Sequence, residues 1–545
     1  MSTLPPLPPT KPTLAARWVP RLFFAALLAL GLGIYRDYGI SYDEHQSRRN
    51  GMISLRHVAE KVAPAWAAHD PQLALHPEVL ADYLDRDYGV FFELPASLLE
   101  RLLHLNEPGQ WYRLRHLLTF LVCAAGVWAV YRLGTERYAD WRLGLVAAGA
   151  LVLSPRLFAE MFYNDKDAVF MALFALGTYA SVRWLTQPTW RGAVVSGLVC
   201  AATIDIRIMG ILLPLVAVAV LGWQVLQGSL APARALRLGA LYLAVLVTTT
   251  VACWPYLWPA PANNFWLAFQ NMRQFRWDAS VVYFGREIKA TELPWHYAPA
   301  WIAVTTPLLY LAAFGVGAPV VLGQVARRGW RLWQGPAELH DALMLAFCLG
   351  PLVAVVAFHS VLYDGWRQLY FIYPGLLLVA LRGAVALGRW PWALARIGSR
   401  RWRAGLGGIA ALSIAPAAWS MVRDHPLQNV YFNPLVGSTD LRQYIELDYW
   451  GLSYQQGLRW IADHDTRPVV CVHAPIMTVP AVENHTLLPA AARQRLRLVS
   501  TPDSADYLIS NYRWQPGLSW RTDGVYDVYA NGGRQVVLSV FKLRP

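Results

Sequence analysis

Two adjacent carboxylates follow the first apolar run of the chain and could act as a base and its partner. Asp43 and Glu44 lie in GISYDEHQSRRNG at 39–51, directly after the run FFAALLALGLGIYRDY. Charged groups at the edge of the hydrocarbon layer of a membrane cost free energy. A functional role for ionisable residues at such a place is therefore favoured over the alternative that they are ordinary charges of a solvated loop. A carboxylate in this place could accept the proton of an attacking hydroxyl group.

A second charged group, FYNDKDAVF at 162–170, combines carboxylates with a lysine. Asn164 or Asp165 is a suitable N-cap for a following helix, whose positive end would attract an anion such as a lipid phosphate together with Lys166. Asp165 and Asp167 also form a D-x-D pattern, with which some sugar-nucleotide enzymes hold a metal ion. The lysine between the two acids weakens a cation site, so a requirement for a divalent metal ion stays open.

Further basic residues could complete an anion site. Arg207 lies in the short turn ATIDIRIMG, Arg367 begins RQLYF, and Arg48 follows the first acidic pair. We predict that these arginines, with Lys166, bind the phosphate of a lipid-linked substrate, which is called the donor phosphate below. An interfacial arginine can equally extend its charge toward lipid headgroups. His296 in ELPWHYAP fits an interfacial aromatic anchor better than a substrate ligand, and both interpretations are kept.

These residue types together suit one reaction. A carboxylate outside the membrane can act as general base toward an acceptor hydroxyl, fixed cations can stabilise a departing phosphate, and a membrane groove can hold a long lipid chain. The combination predicts transfer of a sugar from a polyprenyl-phosphate donor. One base without a second carboxylate as nucleophile predicts inversion at the anomeric carbon, as in inverting glycosidases.

The composition indicates that membrane helices position these residues. Of 545 residues, 56% are hydrophobic and only 15% charged, and the 25 Trp and 26 Tyr suit membrane interfaces. The formal net charge is +13. Basic loops on the cytoplasmic face account for such a charge in a chain with many spans, so we expect no nucleic-acid partner.

Apolar runs long enough to cross a membrane predict about eleven spans. Arginines fall in alternate connections, which by the positive-inside rule places the N-terminus and the short basic loops in the cytoplasm. The long loops 38–113 and 258–297 and the tail from 422 would then face outward. The predicted spans are 19–37, 114–133, 142–160, 167–185, 191–205, 208–227, 236–257, 298–324, 341–360, 367–387 and 403–421.

The sequence therefore predicts an α-helical multi-pass membrane protein with a small α/β domain at its C-terminal end. Residues 1–18 would form a cytoplasmic tail, 19–421 the transmembrane domain, 422–454 a connecting segment and 455–545 the outer domain. In that domain the amphipathic helix YQQGLRWIADH precedes five β-rich runs. The first apolar run lacks a signal-peptide cleavage pattern and is expected to be retained. We expect a bacterial inner membrane, with the acidic groups and the C-terminal domain in the periplasm.

Six motifs of the sequence resemble those of a known family. The chain resembles the GT-C membrane glycosyltransferases, specifically glycosyltransferase family 39, which includes protein O-mannosyltransferases and the aminoarabinose transferase that modifies lipid A. The similarity covers most of residues 20–455. The motifs are YDE at 42–44, SPRLFAEMFYNDKD at 154–167, FGREIKATELPWHYAPAWIAVTTPL at 284–308, LYDGWRQLYFIYP at 362–374, HPLQNVYFNPLVG at 425–437 and ELDYWGLSY at 446–454.

The resemblance implies roles for individual residues. Asp43 would be the catalytic base, with Glu44 positioning the acceptor or the base. Asp165 would be the acid of the second loop, and Lys166 with a nearby arginine would face the donor phosphate. Some relatives use a divalent metal ion and others none. Further candidates for contact with donor or acceptor are Asp167, His296, Tyr363 and Asp364.

The acceptor and two rival functions stay open. The chain lacks the large lectin-like insertion of the mannosyltransferases, so the acceptor could be a glycan, a lipid or a protein. A transporter or flippase for a lipid-linked sugar would share the many spans, but transporters commonly show internal repeats and helices broken near the midplane. An O-antigen ligase or polymerase would use similar substrates. The acidic pair after the first span and the family motifs favour the GT-C glycosyltransferase.

Overall fold

A computed structural model describes residues 13–273, 275–475, 478–513 and 515–544, and most of them are helical. The helices of the first half of the chain are α1 (Leu14–Ile34), α2 (Tyr42–Val62), α3 (Pro64–His69), α4 (Pro71–Ala74), α5 (Glu93–Leu102), α6 (Pro108–Tyr138), α7 (Trp141–Val152), α8 (Pro155–Tyr163), α9 (Asp167–Thr186), α10 (Trp190–Ile204), α11 (Leu212–Leu226) and α12 (Pro232–Cys253).

The second half adds ten helices and seven strands to the described structure. The helices are α13 (Pro261–Arg273), α14 (Tyr297–Thr305), α15 (Leu308–Arg328), α16 (Gly335–Ala357), α17 (Tyr373–Gly388), α18 (Pro391–Ile397), α19 (Ser399–Arg423), α20 (Tyr454–His464), α21 (Thr478–His485) and α22 (Ala490–Arg495). The strands are β1 (Ser280–Tyr283), β2 (Arg286–Lys289), β3 (Val470–His473), β4 (Leu496–Val499), β5 (Tyr507–Ser510), β6 (Gly524–Ala530) and β7 (Gln535–Lys542).

Nine helices in the described part of the chain are long and apolar enough to cross a membrane, or ten if α7 and α8 together form one span. They include α1, α6, α9, α12, α15, α16 and α19, together with α11 and α17 extended by the short 3₁₀ turns that precede them. This architecture is typical of a multi-pass membrane protein, as the sequence predicts. The number of full-length spans is smaller than the eleven expected.

A bend in one predicted segment and the short length of another account for the smaller number, and a proline shortens a third segment that still contains a span. The segment predicted as a span at 142–160 bends by 73° between α7 and α8, because Pro155 has no amide hydrogen to continue α7 and instead begins α8. Pro307 likewise divides the segment predicted at 298–324 into α14 and α15. Helix α10 has 15 residues, fewer than the roughly 20 that a span needs.

The C-terminal part contains a mixed five-stranded sheet in the order β4-β3-β5-β7-β6. Strand β3 pairs in parallel with β4 and β5, whereas β7 pairs antiparallel with β5 and β6. Helix α20 packs against β5, β6 and β7 and has the bounds that the amphipathic pattern predicts. The helix and the five β-rich runs of the predicted C-terminal α/β region are thus confirmed.

Helices α15 and α17 pack closely because glycines line their contact. A Cβ atom at Gly317 would overlap the carbonyl oxygen of Val379, and one at Gly383 would overlap the carbonyl oxygen of Ala313. Among the described residues, no atom outside the helix's own backbone lies within 4 Å of a Cβ built at Gly315, two residues away on the same helix. The approach of the two backbones therefore depends on the missing side chains at Gly317 and Gly383.

We expect Gly317→Val to destabilise the protein by about 1–3 kcal/mol, because the new side chain must push α17 away from α15. Gly315→Val introduces the same residue into open space and should leave stability within about 0.5 kcal/mol. Thermal unfolding of both variants in the same detergent measures the difference. Equal melting temperatures for the two variants would contradict the close contact of the helices.

Candidate functional site

Arg367 lies at the centre of a buried cluster of charged side chains. Its Nη1 donates to Asp43 Oδ2 at 2.8 Å and to Asp167 Oδ2 at 3.0 Å. Its Nη2 donates to Asp364 Oδ2 at 3.3 Å. The rings of Tyr363 and Trp450 face the guanidinium, with centroids 4.8 and 4.7 Å away. One arginine thus joins three carboxylates from three distant parts of the chain.

Two more arginines complete the cluster. Arg207, in the turn after α10, pairs with the other oxygen of Asp167. Arg513, in the C-terminal part, donates from Nη2 to Asp364 Oδ1 at 2.7 Å. The five residues linked around Arg367 come from five different segments of the chain, so the cluster forms only when the chain has folded completely.

The helix ends of the fold explain where the carboxylates stand. Asp43 occupies the first turn of α2, where the positive end of the helix favours a carboxylate. Asp167 begins α9, and the Asn164 side chain accepts from the Asp167 amide at 2.7 Å. Lys166 occupies the N-cap position of α9, not Asn164 or Asp165 as the sequence predicts, but the Asn164 bond satisfies the first amide of the helix.

A tight turn places Asp364 and Arg367. Asp364 and Gly365 have φ angles of 54° and 76°, a left-handed conformation that aspartate tolerates and glycine adopts freely. Tyr297 supports the turn, since its hydroxyl accepts from the Gly365 amide at 3.2 Å. A 3₁₀ turn then carries Arg367 into α17.

Asp43 is the most accessible carboxylate of the cluster. Its side chain is 21% exposed, whereas those of Asp167 and Asp364 are 1% and 5% exposed. Burial raises the pKa of the Asp43 carboxyl, but the positive charges of Arg367 and Lys166 outweigh burial and hold the pKa at about 2. Asp43 is therefore an accessible carboxylate that stays ionised across the physiological pH range.

Lys166 and several aromatic rings lie at the mouth of the cluster. The Lys166 ammonium faces the ring of Tyr88, with Nζ 4.2 Å from its centroid. Tyr363 stacks on Trp277 at 4.4 Å and on Phe275 at 5.9 Å between centroids. These rings and the lysine are half-buried, and the charge of Lys166 acts on Asp43.

Two acids that the sequence singled out face away from the cluster. Glu44 accepts from the Ser41 amide at 2.6 Å and lies 2.9 Å from His116 Nε2. Asp165 accepts from the Ser47 hydroxyl at 2.9 Å. Burial and the neighbouring Glu93 carboxyl raise the pKa of Asp165 well above its usual value, so this carboxyl is suited to a structural hydrogen bond rather than to an ionised role.

Two further candidates also have partners outside the cluster. Arg48, predicted to bind a donor phosphate, pairs with Glu100 at 2.6 Å and stacks on the Trp111 ring at 3.8 Å. His296, predicted as an aromatic anchor or a ligand, is 2.7 Å from the Tyr283 hydroxyl through Nδ1. The structure thus assembles Asp43, Asp167, Asp364, Tyr363, Arg207 and Arg367, with Lys166 beside them, and leaves Glu44, Asp165, Arg48 and His296 elsewhere.

The D-x-D pair does not fit a metal site in this arrangement. Asp165 is bonded to Ser47, whereas Asp167 is enclosed by Arg207 and Arg367. Cations on two sides disfavour a bound metal ion. Among the residues that the structure describes, no group of three or more His, Cys, Asp or Glu side chains could hold a metal ion.

Sequence reasoning missed Arg513 and Trp450 as parts of the site. Trp450 belongs to the motif ELDYWGLSY, which could have signalled it, since an aromatic next to an acidic motif suits a cation contact. Arg513 lies 90 residues after the end of α19 in an ordinary-looking run, SNYR, and no pattern there distinguishes it from other arginines.

No known protein family matches the chain, and no curated protein has a similar sequence.

We expect Asp165→Asn and Asp167→Asn to differ sharply in stability. Asp167→Asn leaves two buried arginines short of a carboxylate and should cost about 3–5 kcal/mol. The pKa of Asp165 is raised in the folded protein, so the wild type is destabilised relative to Asp165→Asn as the pH rises above about 4. Asp165→Asn should therefore match or exceed the wild type in melting temperature at pH 7, with a margin that shrinks toward pH 4. Loss of stability equal to that of Asp167→Asn would show that Asp165 is ionised.

Proposed function

We propose that this protein is an inverting glycosyltransferase that moves a sugar from a polyprenyl-phosphate donor to an acceptor hydroxyl at a membrane surface. The observation that carries the proposal is the accessible Asp43 carboxylate 2.8 Å from Arg367, in a cluster that Lys166 flanks. The family resemblance of the motifs agrees with it. We place the enzyme in a bacterial inner membrane with the cluster in the periplasm.

Asp43 supplies the base of this reaction. It is the one carboxylate of the cluster with appreciable exposure, so an acceptor hydroxyl can reach it. The two other carboxylates are enclosed by arginines, which leaves a single base and no separate carboxylate nucleophile. Direct displacement with inversion at the anomeric carbon follows from that arrangement.

The cations suit the leaving polyprenyl phosphate. Lys166, Arg207, Arg367 and Arg513 outnumber the three carboxylates, and Lys166 is only half-buried. Fixed positive charges stabilise the negative charge that builds up on a departing phosphate. A bound phosphate would also compete with Asp43 for these cations and raise the pKa of Asp43. Donor binding would in this way convert a weak base into a stronger one.

The distribution of charge among the helix ends supports the proposed orientation. The cluster draws on the start of α2, the start of α9 and the turn before α17. Basic residues at the other ends of spans include Arg137, paired with Asp341 at 2.6 Å, and Arg328, paired with Glu338 at 2.5 Å. Arginine-rich connections opposite the cluster fit a cytoplasmic face.

We expect Asp43→Asn to lower turnover of a polyprenyl-phosphate sugar at least about 100-fold, because an amide cannot accept the acceptor proton. The assay supplies purified protein in detergent with a panel of polyprenyl-phosphate sugars and native envelope extract, and measures release of polyprenyl phosphate.

Asp37→Asn is the matched control. Asp37 is a half-exposed acid in the segment between α1 and α2, and it pairs with His425 at 3.0 Å. It should turn over like the wild type. Normal turnover by Asp43→Asn would disprove the base assignment. Movement of intact donor across proteoliposome membranes, without consumption, would replace the transferase by a transporter.

The pH dependence tests the electrostatics of the base. Because the cations hold the pKa of Asp43 at about 2, wild-type kcat/KM should not fall through protonation of Asp43 in the free enzyme down to about pH 4. Lys166→Gln removes one of these cations, so the pKa of Asp43 rises. The fall of kcat/KM on the acid side of the pH profile (the acid limb) should therefore move to higher pH by about 0.5–1 unit. The KM for the donor should rise as well. Lys61→Gln, at the far end of α2, is the control, and a shared acid limb for both variants would contradict the role of Lys166.

A further inference from the structure

The C-terminal domain contacts both members of the Asp43–Arg367 pair through their supports. Arg513 holds Arg367 by way of Asp364, and Asn484 on α21 holds the segment that leads into Asp43. Both side chains are buried, Asn484 fully. A domain that merely follows the last membrane helix would have no reason to place buried polar groups there.

The first contact runs from the domain to Arg367. Arg513 donates to Asp364 Oδ1 at 2.7 Å and to the carbonyl oxygen of Tyr449. The other oxygen of Asp364 accepts from Arg367 at 3.3 Å. The Asp364 carboxylate thus lies between two arginines, each of which donates to a different oxygen. Loss of Arg513 would leave Asp364 with Arg367 alone and draw that guanidinium away from Asp43.

The second contact runs from the domain to Asp43. The Asn484 amide accepts from the Ile40 N–H and donates to the Ile40 carbonyl, each at 2.9 Å. Two residues further on, the Tyr42 amide donates to the Trp450 carbonyl at 3.0 Å. The start of α2 is thereby fixed against the connecting segment and the C-terminal domain.

We propose that the C-terminal domain is a working part of the site and that Arg513 is its positioning residue, setting the distance between Arg367 and Asp43. The inference rests on the proposed function, because it assigns the pair a role in sugar transfer. It goes beyond that function by making the outer domain necessary for a competent site rather than an accessory to it.

The experiment compares Arg513→Gln and Arg513→Lys with Arg467→Gln. Arg467 is an arginine of the same domain that pairs with Asp465 at 2.7 Å and Asp506 at 3.1 Å, remote from the cluster. Turnover of the polyprenyl-phosphate sugar is measured against pH and donor concentration. Hydrogen–deuterium exchange of peptides covering 362–372 is measured on the same samples.

Arg513→Gln should lower kcat about tenfold or more with little change in donor KM, because a displaced Arg367 stabilises the negative charge on the departing phosphate less well in the transition state. Its acid limb should move to higher pH by about one unit, because Arg367 no longer stays on Asp43. Arg513→Lys should recover part of both effects, since a lysine keeps the charge but can serve fewer partners. Arg467→Gln should behave as the wild type. A merely structural arginine would lower the melting temperature without moving the acid limb.

Two results would overturn the inference. One is a folded Arg513→Gln with wild-type kcat and an unchanged acid limb. The other is unchanged hydrogen–deuterium exchange in residues 362–372 of Arg513→Gln. This measurement needs no turnover, so it tests the inference even if the wild type consumes no donor. Absence of turnover by the wild type would contradict the proposed function and not this inference. If Arg513→Gln does not fold, Arg513→Lys and Asp364→Asn are compared with the wild type instead. If turnover in both of these variants has the wild-type pH dependence, the inference is overturned.

Discussion

The buried guanidinium of Arg367 is the constraint on which the assembly of this protein depends. A charge taken out of water is costly unless carboxylates and hydrogen bonds surround it, and Arg367 is 2% exposed. Its three carboxylates come from residues 43, 167 and 364, more than three hundred positions apart at the extremes. The start of α2, the start of α9 and the turn before α17 must therefore meet at one point, whatever else the fold does.

The helix packing and the C-terminal domain both help to hold these three segments together around Arg367. Glycines let α15 lie directly against α17, which fixes the helix that Arg367 precedes. The aromatic stack of Tyr38, Phe162 and Phe120, with centroids 4.6 and 5.1 Å apart, joins the end of α1 to α8 just before Asp167. Asn484 of the C-terminal part bonds to Ile40, two residues after Tyr38, and so holds the same region. Stability and the geometry of the cluster thus depend on the same contacts.

The sequence was informative about elements and less so about directions. Apolar length located most spans, and the β-rich composition of the C-terminal runs located all five strands of the sheet, because both signals are local. Neighbouring acids were harder to distinguish. Successive residues on a helix point about 100° apart, so Asp43 faces Arg367 while Glu44, the next residue, turns to His116.

The contribution of Arg513 was beyond sequence reasoning for a different reason. Its partner Asp364 is 149 positions away, and a single long-range pair leaves no periodic trace. Proline explains two of the errors in the spans, since Pro155 and Pro307 interrupt apolar runs that hydropathy counts as continuous. Hydropathy measures composition, whereas these breaks depend on one missing amide hydrogen.

Under the proposed function, pairing the base with an arginine has a chemical consequence. A carboxylate with a pKa of about 2 is too weak a base to take a proton from a hydroxyl group. Before the donor binds, Asp43 therefore activates neither an acceptor hydroxyl nor a water molecule. The phosphate of a bound donor would take over part of the hydrogen bonding of Arg367 and release Asp43 from it. The base would then gain strength only with the donor in place. An enzyme whose donor is a costly lipid-linked sugar benefits from that order, because the donor is bound before any base able to activate water exists beside it.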